Sequence, residues 1–223
     1  MSFDTIWEEK YATGHSQKYP WDSVVSFVYR NIPRDRPPHE VKILEVGCGT
    51  GSNLWFAARE GFAVSGIDAS NSAIETAKNR FKTDGLAGDL RTADFTDLPF
   101  DDECFDLVID RAALTCCGHA SRTKALGEIA RVTVPGGRFL FTPYADTHTS
   151  RTCGDAQQDG TINQITGGTL QGVGQICFAS QEDIMNWLSP SWDVLELVLR
   201  TEQFVSGNSN GIHAEWRATA ARR

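Results

Sequence analysis

The stretch Ile43-Leu44-Glu45-Val46-Gly47-Cys48-Gly49-Thr50-Gly51-Ser52-Asn53-Leu54, with Gly66-Ile67-Asp68 after it, limits what this chain can fold into more than any other segment. A short apolar run enters a glycine-rich turn, a helical segment leaves it, and a second apolar run ends in an acid. In that order the residues read as strand, turn, helix and strand, the arrangement by which a parallel α/β sheet holds a nucleoside-bearing ligand. Gly47 permits the sharp turn out of the strand, Gly49 lets a ligand approach the backbone, and Gly51 lets the helix start close to the sheet. Asp68 stands about 20 residues beyond the turn, placed to accept from ribose hydroxyls, while Ser70 is the better cap for the helix that follows. A dinucleotide fingerprint needs its third glycine at position 52. Ser52 stands there, and the spacing is Gly-x-Gly-x-Gly.

The alternation continues on both sides of this turn. Apolar spacing predicts a helix over 21–29, closed by Pro33, Pro37 and Pro38, behind a start studded with Trp7, Tyr11, Tyr19 and Trp21. Strands are expected at 41–46, 63–67, 86–92, 105–109 and 138–142, with helices at 52–60, 71–82 and 122–133, the last ending at Pro135-Gly136-Gly137. Residues 149–174 are rich in Gly, Thr, Gln and Asp, too polar to form core, and read as a loop or lid reaching to about 178. A helix at 181–188 precedes two strands at 192–201 and 213–220, separated by the turn-rich Gly207-Asn208-Ser209-Asn210-Gly211, an antiparallel hairpin at a sheet edge. The expectation is one α/β domain over 1–223: a doubly wound, mostly parallel, seven-stranded Rossmann-like sheet with an antiparallel C-terminal hairpin and a helical arm over 1–40.

Composition narrows the function classes. With 40% hydrophobic residues, 223 positions carry one sizeable core. A net charge of −8, from 21 basic and 29 acidic residues, opposes binding to phosphate backbones or anionic membranes. No apolar run approaches the roughly 18 residues of a membrane span, and the start lacks a basic region followed by an apolar one, so a cytoplasmic protein is expected. The six cysteines, Cys48, Cys104, Cys116, Cys117, Cys153 and Cys177, show no paired C-x-x-C spacing; reduced structural thiols and no metal are the expectation.

Taken together, these motifs resemble the class I S-adenosylmethionine-dependent methyltransferases, and the likeness runs from about Val41 to Thr142. Leu44-Glu45-Val46-Gly47-Cys48-Gly49-Thr50-Gly51 resembles the family's first motif, in which the glycine turn cradles the methionine moiety. The resemblance implies that Asp68, followed by Ala69, grips the ribose, and that Asp94 accepts from the adenine amino group with Phe95 against the ring. Leu98-Pro99-Phe100 through Phe105-Asp106-Leu107-Val108-Ile109-Asp110 resembles the fourth-strand motif, and Arg131-Val132 with Pro135-Gly136-Gly137 the turn before the fifth strand. Thr133 and Val134 depart from the usual Leu-Lys, at positions away from the cofactor.

The resemblance implies methyl transfer by in-line displacement from S-adenosylmethionine, leaving S-adenosylhomocysteine, to an oxygen or nitrogen of a small-molecule acceptor. The Trp-rich arm and Asp-Arg-Ala-Ala-Leu after the fourth strand are similar to methyltransferases of sugar, polysaccharide or secondary-metabolite pathways. Trp7, Tyr11 and Trp21 are candidates for closing over a sulfonium, and Glu45 for reaching the cofactor's amino group through water. Proton acceptors are sought at carboxyl ends of strands, which gives His148, His119 and Asp110, with His213 behind them and Arg111 as a positioning group. Neither nucleic acid nor membrane is expected as a partner, and the chain is read as a monomer or homodimer. Two alternatives stay open: an NAD(P)-dependent oxidoreductase, which leaves Ala93-Asp94-Phe95 unexplained, and a non-catalytic S-adenosylmethionine-binding protein.

Overall fold

The computed structural model describes residues 3–206 and 211–223; of the turn-rich segment at 207–211, all but Gly211 lies outside the described residues. Two helices lead, α1 (Ile6–Ala12) and α2 (Asp22–Asn31), and then strands and helices alternate: β1 (Lys42–Val46), α3 (Ser52–Arg59), β2 (Ala63–Asp68), α4 (Asn71–Thr83), β3 (Asp89–Thr92), β4 (Phe105–Asp110), α5 (His119–Val132) and β5 (Thr133–Phe141). After β5 come a small hairpin of β6 (Asp155–Ala156) and β7 (Ile162–Asn163), then α6 (Gln181–Leu188) and two long strands, β8 (Trp192–Phe204) and β9 (Gly211–Arg222).

One seven-stranded sheet has the order β3-β2-β1-β4-β5-β9-β8. Its first five strands pair parallel, and β9 runs antiparallel to both β5 and β8. Side chains on successive strand positions point to opposite faces, so the continuous apolar runs of β1 and β4 supply both cores at once. Ile43, Leu107 and Ile109 meet α2, α3 and α4 through Val24, Phe27, Leu54, Ile74 and Phe81. Leu44, Val108, Phe139 and Phe141 meet α5 and α6 through Ile129, Ile184 and Leu188, with the Trp192 ring tilted against Phe139 at 5.0 Å. Each large side chain fully buried this way contributes roughly 1.5–3 kcal/mol of transfer free energy.

Four local expectations change. Helix α1 has no fully buried residue and only seven residues, too few for a helical period to stand out from Glu8, Glu9 and Lys10 around it. Helix α5 begins at His119, earlier than 122, because Gly118 in extended geometry starts it. Pro135-Gly136-Gly137 does not separate helix from strand: β5 already begins at Thr133, and the three residues form an irregularity within it, where pairing to β4 shifts between Phe105 and Leu107 and Gly136 takes φ +74°. Such a bulge is where a strand tolerates proline. Finally, 149–174 is not devoid of core. Ile165 and Leu170 join Ile176 in a small buried cluster, and the surrounding hydroxyls satisfy its backbone, Ser150 Oγ donating to the Gly167 carbonyl and accepting from the Leu170 N–H.

Candidate functional site

The order of strands reverses at β1, with β2 on one side and β4 on the other, and a crevice opens beyond their carboxyl ends. The glycine turn occupies its floor. Gly47 takes φ +66°, and a Cβ there would lie 2.2 Å from Ala113 Cβ, so the turn after β1 and the turn after β4 interlock only through glycine. Ala112 is itself at φ +61°, a strained position facing the crevice. Gly49 presents bare backbone upward, where a Cβ would sit 2.7 Å from the Tyr11 hydroxyl. Gly51 differs from expectation: it is the left-handed residue preceding α3, and its close neighbour is Ala77 of α4, whereas the approach of α3 to the sheet depends on Gly66, where a Cβ would meet Leu54 at 2.4 Å.

Two connected cavities lie above this floor. The first is walled by Asp68, Ala69, Ala93 and Phe95 from the ends of β2 and β3 and roofed by Phe3, Asp4, Trp7 and Tyr11 of the arm. The second runs over Glu45, the glycine turn and Asn53 to His15, Gln17, Trp21 and Tyr144. Trp7, Tyr11, Gly47, Arg111, Ala112 and Cys116 line both, so the two spaces share one partition. The arm is clasped down at two points. The Glu8 carboxylate accepts from the hydroxyls of Ser70 and Ser72, each at 2.5 Å, at the start of α4, and Asp4 accepts from the Gln175 N–H at 3.0 Å.

Asp68 is nearly buried, accepts from the Gly49 N–H at 2.9 Å and the Ser70 N–H at 2.8 Å, and retains a lone pair on each oxygen beside the first cavity. Burial raises its pKa against those two N–H donors. Ser70 caps α4 as expected, accepting from Ala73. Asp94 accepts from the Thr96 N–H at 2.8 Å in the turn after β3, between the two cavity-lining residues Ala93 and Phe95. Glu45 is buried, receives the Asn53 amide at 2.6 Å on Oε1, and leaves Oε2 without a hydrogen-bond partner among the described residues. Burial pushes its pKa up to about 8, against the Asn53 hydrogen bond, and Asp110 and Asp68 add to the rise. Asn53 also accepts from the Trp21 N–H at 2.9 Å, tying the arm to the turn. Trp7 and Tyr11 face one another at 5.9 Å, and burial lifts the Tyr11 phenol far above its ordinary range.

The three proton-acceptor candidates, by contrast, do not line either cavity. Asp110 is fully buried; its Oδ1 accepts from the N–H groups of Ala113 and Leu114, both at 2.9 Å, and so shapes the turn that carries Arg111. Burial pushes its pKa up to about 6 against those donors. His119 packs on Gly160 of the β6–β7 connection, with Nδ1 at 2.5 Å from the Arg122 guanidinium. His148 is 2% exposed, and its Nδ1 accepts from the Ser150 N–H at 3.0 Å. A neutral imidazole has one acceptor nitrogen, so Nε2 carries the proton and points at Thr169 Oγ1, 3.0 Å away, and at His213 Nδ1, 3.1 Å away. The lone pair a base needs is already used. Burial, assisted by His213, lowers the His148 pKa to about 4. One reason is common to all three: position near a strand end does not say on which side of the following turn the side chain falls.

Other residues hold the partition and the far wall. Arg111 forms a buried ion pair with Glu215 at 2.9 Å, its guanidinium 4.1 Å above the Trp21 ring, and Glu215 in turn receives Arg217 at 2.8 Å. Glu215 gave no signal in sequence, being one charged residue in a strand whose alternate residues are core. His15, exposed at the mouth of the second cavity with its ring 5.5 Å from Tyr11, was equally silent, and only α1 folding over the crevice brings it there. Tyr144 closes the wall, its pKa raised to about 12 by burial, which keeps it a phenol and a donor.

Parts of this chain are similar to known proteins. Residues 43–137 match a family described as a methyltransferase domain. The phthiotriol/phenolphthiotriol dimycocerosates methyltransferase of Mycobacterium tuberculosis is 39% identical over 107 residues, 47% of this chain and 37% of that protein. Methyltransferase GfsG of Streptomyces halstedii is 29% identical over 170 residues, 73% of this chain and 56% of that protein. The chain thus spans between about a third and somewhat over half of the length of these curated relatives. Among solved structures, an S-adenosylmethionine-dependent methyltransferase from Methanosarcina mazei superposes with a TM-score of 0.72 at 18% identity, covering 88% of this chain and 96% of that one. A structure described under the conversion of a disulfide bond into a thioacetal group during echinomycin biosynthesis also gives 0.72, at 19% identity over 99% of this chain and 90% of that one.

Proposed function

We propose that this chain, whose residues 43–137 match a methyltransferase domain, is a class I S-adenosylmethionine-dependent methyltransferase and moves a methyl group from S-adenosylmethionine to an oxygen or nitrogen of a small-molecule acceptor. The observation that carries this reading is the pair of cavities meeting at one partition, one suited to an adenosine and the other to an acceptor. The residues fit the cofactor. Asp68 offers lone pairs to ribose hydroxyls, Phe95 and Ala69 offer apolar surface to a purine, and the orphaned Oε2 of Glu45 is a seat for an ammonium group. When bound, S-adenosylmethionine supplies a sulfonium-activated methyl group.

The protein's part is to hold, orient and dry. Trp7 and Tyr11 cover the partition, excluding water and presenting ring faces to positive charge. The Glu45 carboxylic acid gives up its proton once a cation lies beside it, which sets the net charge of the site to suit the cofactor. Arg111, fixed between Glu215 and Trp21, presents a positioned cation to both spaces and orients the acceptor. His15 is the imidazole lining the acceptor cavity and takes the acceptor's proton. The phthiotriol/phenolphthiotriol dimycocerosates named as acceptors of the Mycobacterium tuberculosis relative support an organic acceptor, in keeping with the acidic balance of this chain.

Two measurements test the reading. Calorimetric titration is expected to give binding of S-adenosylmethionine and none of NADH; the reverse outcome overturns it. Incubation with methyl-labelled cofactor and fractionated metabolite extracts is expected to label a small molecule, and replacing His15 by Gln lowers the rate while leaving cofactor affinity unchanged. Cofactor binding with no labelled product across varied extracts favours the non-catalytic binder.

A further inference from the structure

Strand β8 forms one edge of the sheet, and its surface is unlike the other edge. Ten large apolar side chains are exposed among the described residues, and five of them, Leu195, Val198, Leu199, Phe204 and Val205, lie on β8 or directly after it, with Met185 on the adjacent α6 and Ile212 opposite Phe204. β3, the other edge, is only four residues long. Edges of thirteen residues are normally protected by like charges that repel a second strand. Here the charges are of mixed sign. Glu196 and Arg200 flank Val198 on one face of the strand, opposite Thr219 and Glu215 of β9, and neither forms an ion pair within the chain among the described residues.

We propose that a second copy of this chain pairs antiparallel with β8 about a two-fold axis at Val198, joining the two sheets. In that register each Glu196 faces the partner's Arg200 and each Arg200 the partner's Glu196, while Val198 meets its own copy. On the opposite face Leu197 and Leu199, which share a side with Ala218 and Trp216, pair with one another across the axis. The irregularity between Val194 and Glu196 ends the regular ladder at Glu196, so the matched stretch is the five residues from Glu196 to Arg200. Neighbouring registers fail on charge. Moving the axis to Leu199 sets Glu196 against Glu202, and moving it to Leu197 sets Glu196 and Arg200 against valines. A closed two-fold contact uses both edges and leaves none to propagate a fibre.

Light scattering after size exclusion, with sedimentation velocity, reads the outcome. The native chain is expected to be a dimer at micromolar concentration. Glu196→Arg and Arg200→Glu each set like charges opposite one another and are expected to raise the dissociation constant by about tenfold or more. An equimolar mixture of these two single variants is expected to restore a dimer containing one chain of each kind. The double variant Glu196→Arg/Arg200→Glu, with the pairs inverted, is expected to dimerise with itself. Far-UV circular dichroism and the thermal midpoint of each monomeric variant separate lost association from lost folding. A monomeric native chain, a dimer indifferent to the single reversals, or single variants that fail to pair with each other would overturn the proposal.

Discussion

At the scale of residues, the crevice is most constrained where backbone meets backbone. Gly47 stands at φ +66° with Ala113 Cβ 2.2 Å from where its own Cβ would be, so Gly47→Ala must move the turn after β1, the turn after β4, or both. The left-handed backbone alone costs about 1–2 kcal/mol for an L side chain, and the clash adds to it. Urea denaturation is expected to register a loss of at least that size, together with weaker cofactor binding; a stability equal to the native chain's would contradict the interlocking of the turns. Asp68 combines two tasks, holding the Gly49 N–H and lining the first cavity. Asp68→Asn keeps one acceptor oxygen but exchanges the other for a donor, and calorimetry is expected to show an affinity for S-adenosylmethionine lower by about 1.5–3 kcal/mol, the range for a hydrogen bond to a charged group. Gly47 and Asp68 were legible in sequence because turn chemistry and strand-end position are local. The Arg111–Glu215 pair was not, since its partners come from strands far apart in sequence and only β9, inserted beside β5, brings them together.

Among the elements, α1 is the least self-sufficient. Seven residues without a buried side chain cannot hold a helix in water, so the clasp through Glu8 to the start of α4 and through Asp4 to Gln175 keeps it over the crevice. Glu8 adds a carboxylate to the positive end of α4, which lowers its pKa through the Ser70 and Ser72 hydroxyls. Glu8→Gln should leave global stability nearly unchanged, because the element is peripheral. Amide exchange over 6–12 is expected to accelerate and cofactor dissociation, followed by stopped flow, to quicken several-fold; unchanged exchange would mean that the clasp does not hold the arm. The same contrast explains what a linear reading recovers. Strands β1, β2 and β4 and helices α3, α4 and α6 announce themselves through apolar runs and, for α4, the cap Ser70, which act within a few residues. Helix α1, the bulged start of β5 and the small core at 149–178 owe their form to contacts with distant elements, and polar composition there concealed Ile165 and Leu170.

For the molecule as a whole, the titrating groups of the crevice and of the His148 cluster act on stability in opposite directions. His148, lowered to about 4 from an ordinary value near 6.5, is neutral in the folded chain where the unfolded chain binds a proton; His213 is lowered as well, chiefly by burial. The His148 contribution is present above pH 6.5 and is lost as pH falls toward 4, and His213 acts in the same direction. Glu45 runs the other way. Raised from 4.5 to about 8, it holds a proton in the folded chain that the unfolded chain releases, so its contribution is fully present below pH 4.5 and is lost as pH rises to 8. Asp110, raised to about 6, acts like Glu45 but only up to that pH. Between pH 4.5 and 6.5 the two sets oppose each other; above 6.5 Glu45 acts alone among these groups. The unfolding free energy is therefore expected to fall between pH 6.5 and 8, with a slope of at most about 1.4 kcal/mol per pH unit for one proton. Glu45→Gln should flatten that limb, whereas His148→Gln should leave it and alter only the acid side. Saturating S-adenosylmethionine is expected to flatten it too, because a cation beside Glu45 stabilises the carboxylate, and the affinity for the cofactor should rise with pH over the same interval. Calorimetry in buffers of different ionisation enthalpy measures the proton released on binding, and a value of zero at pH 7 would separate Glu45 from the cofactor's charge.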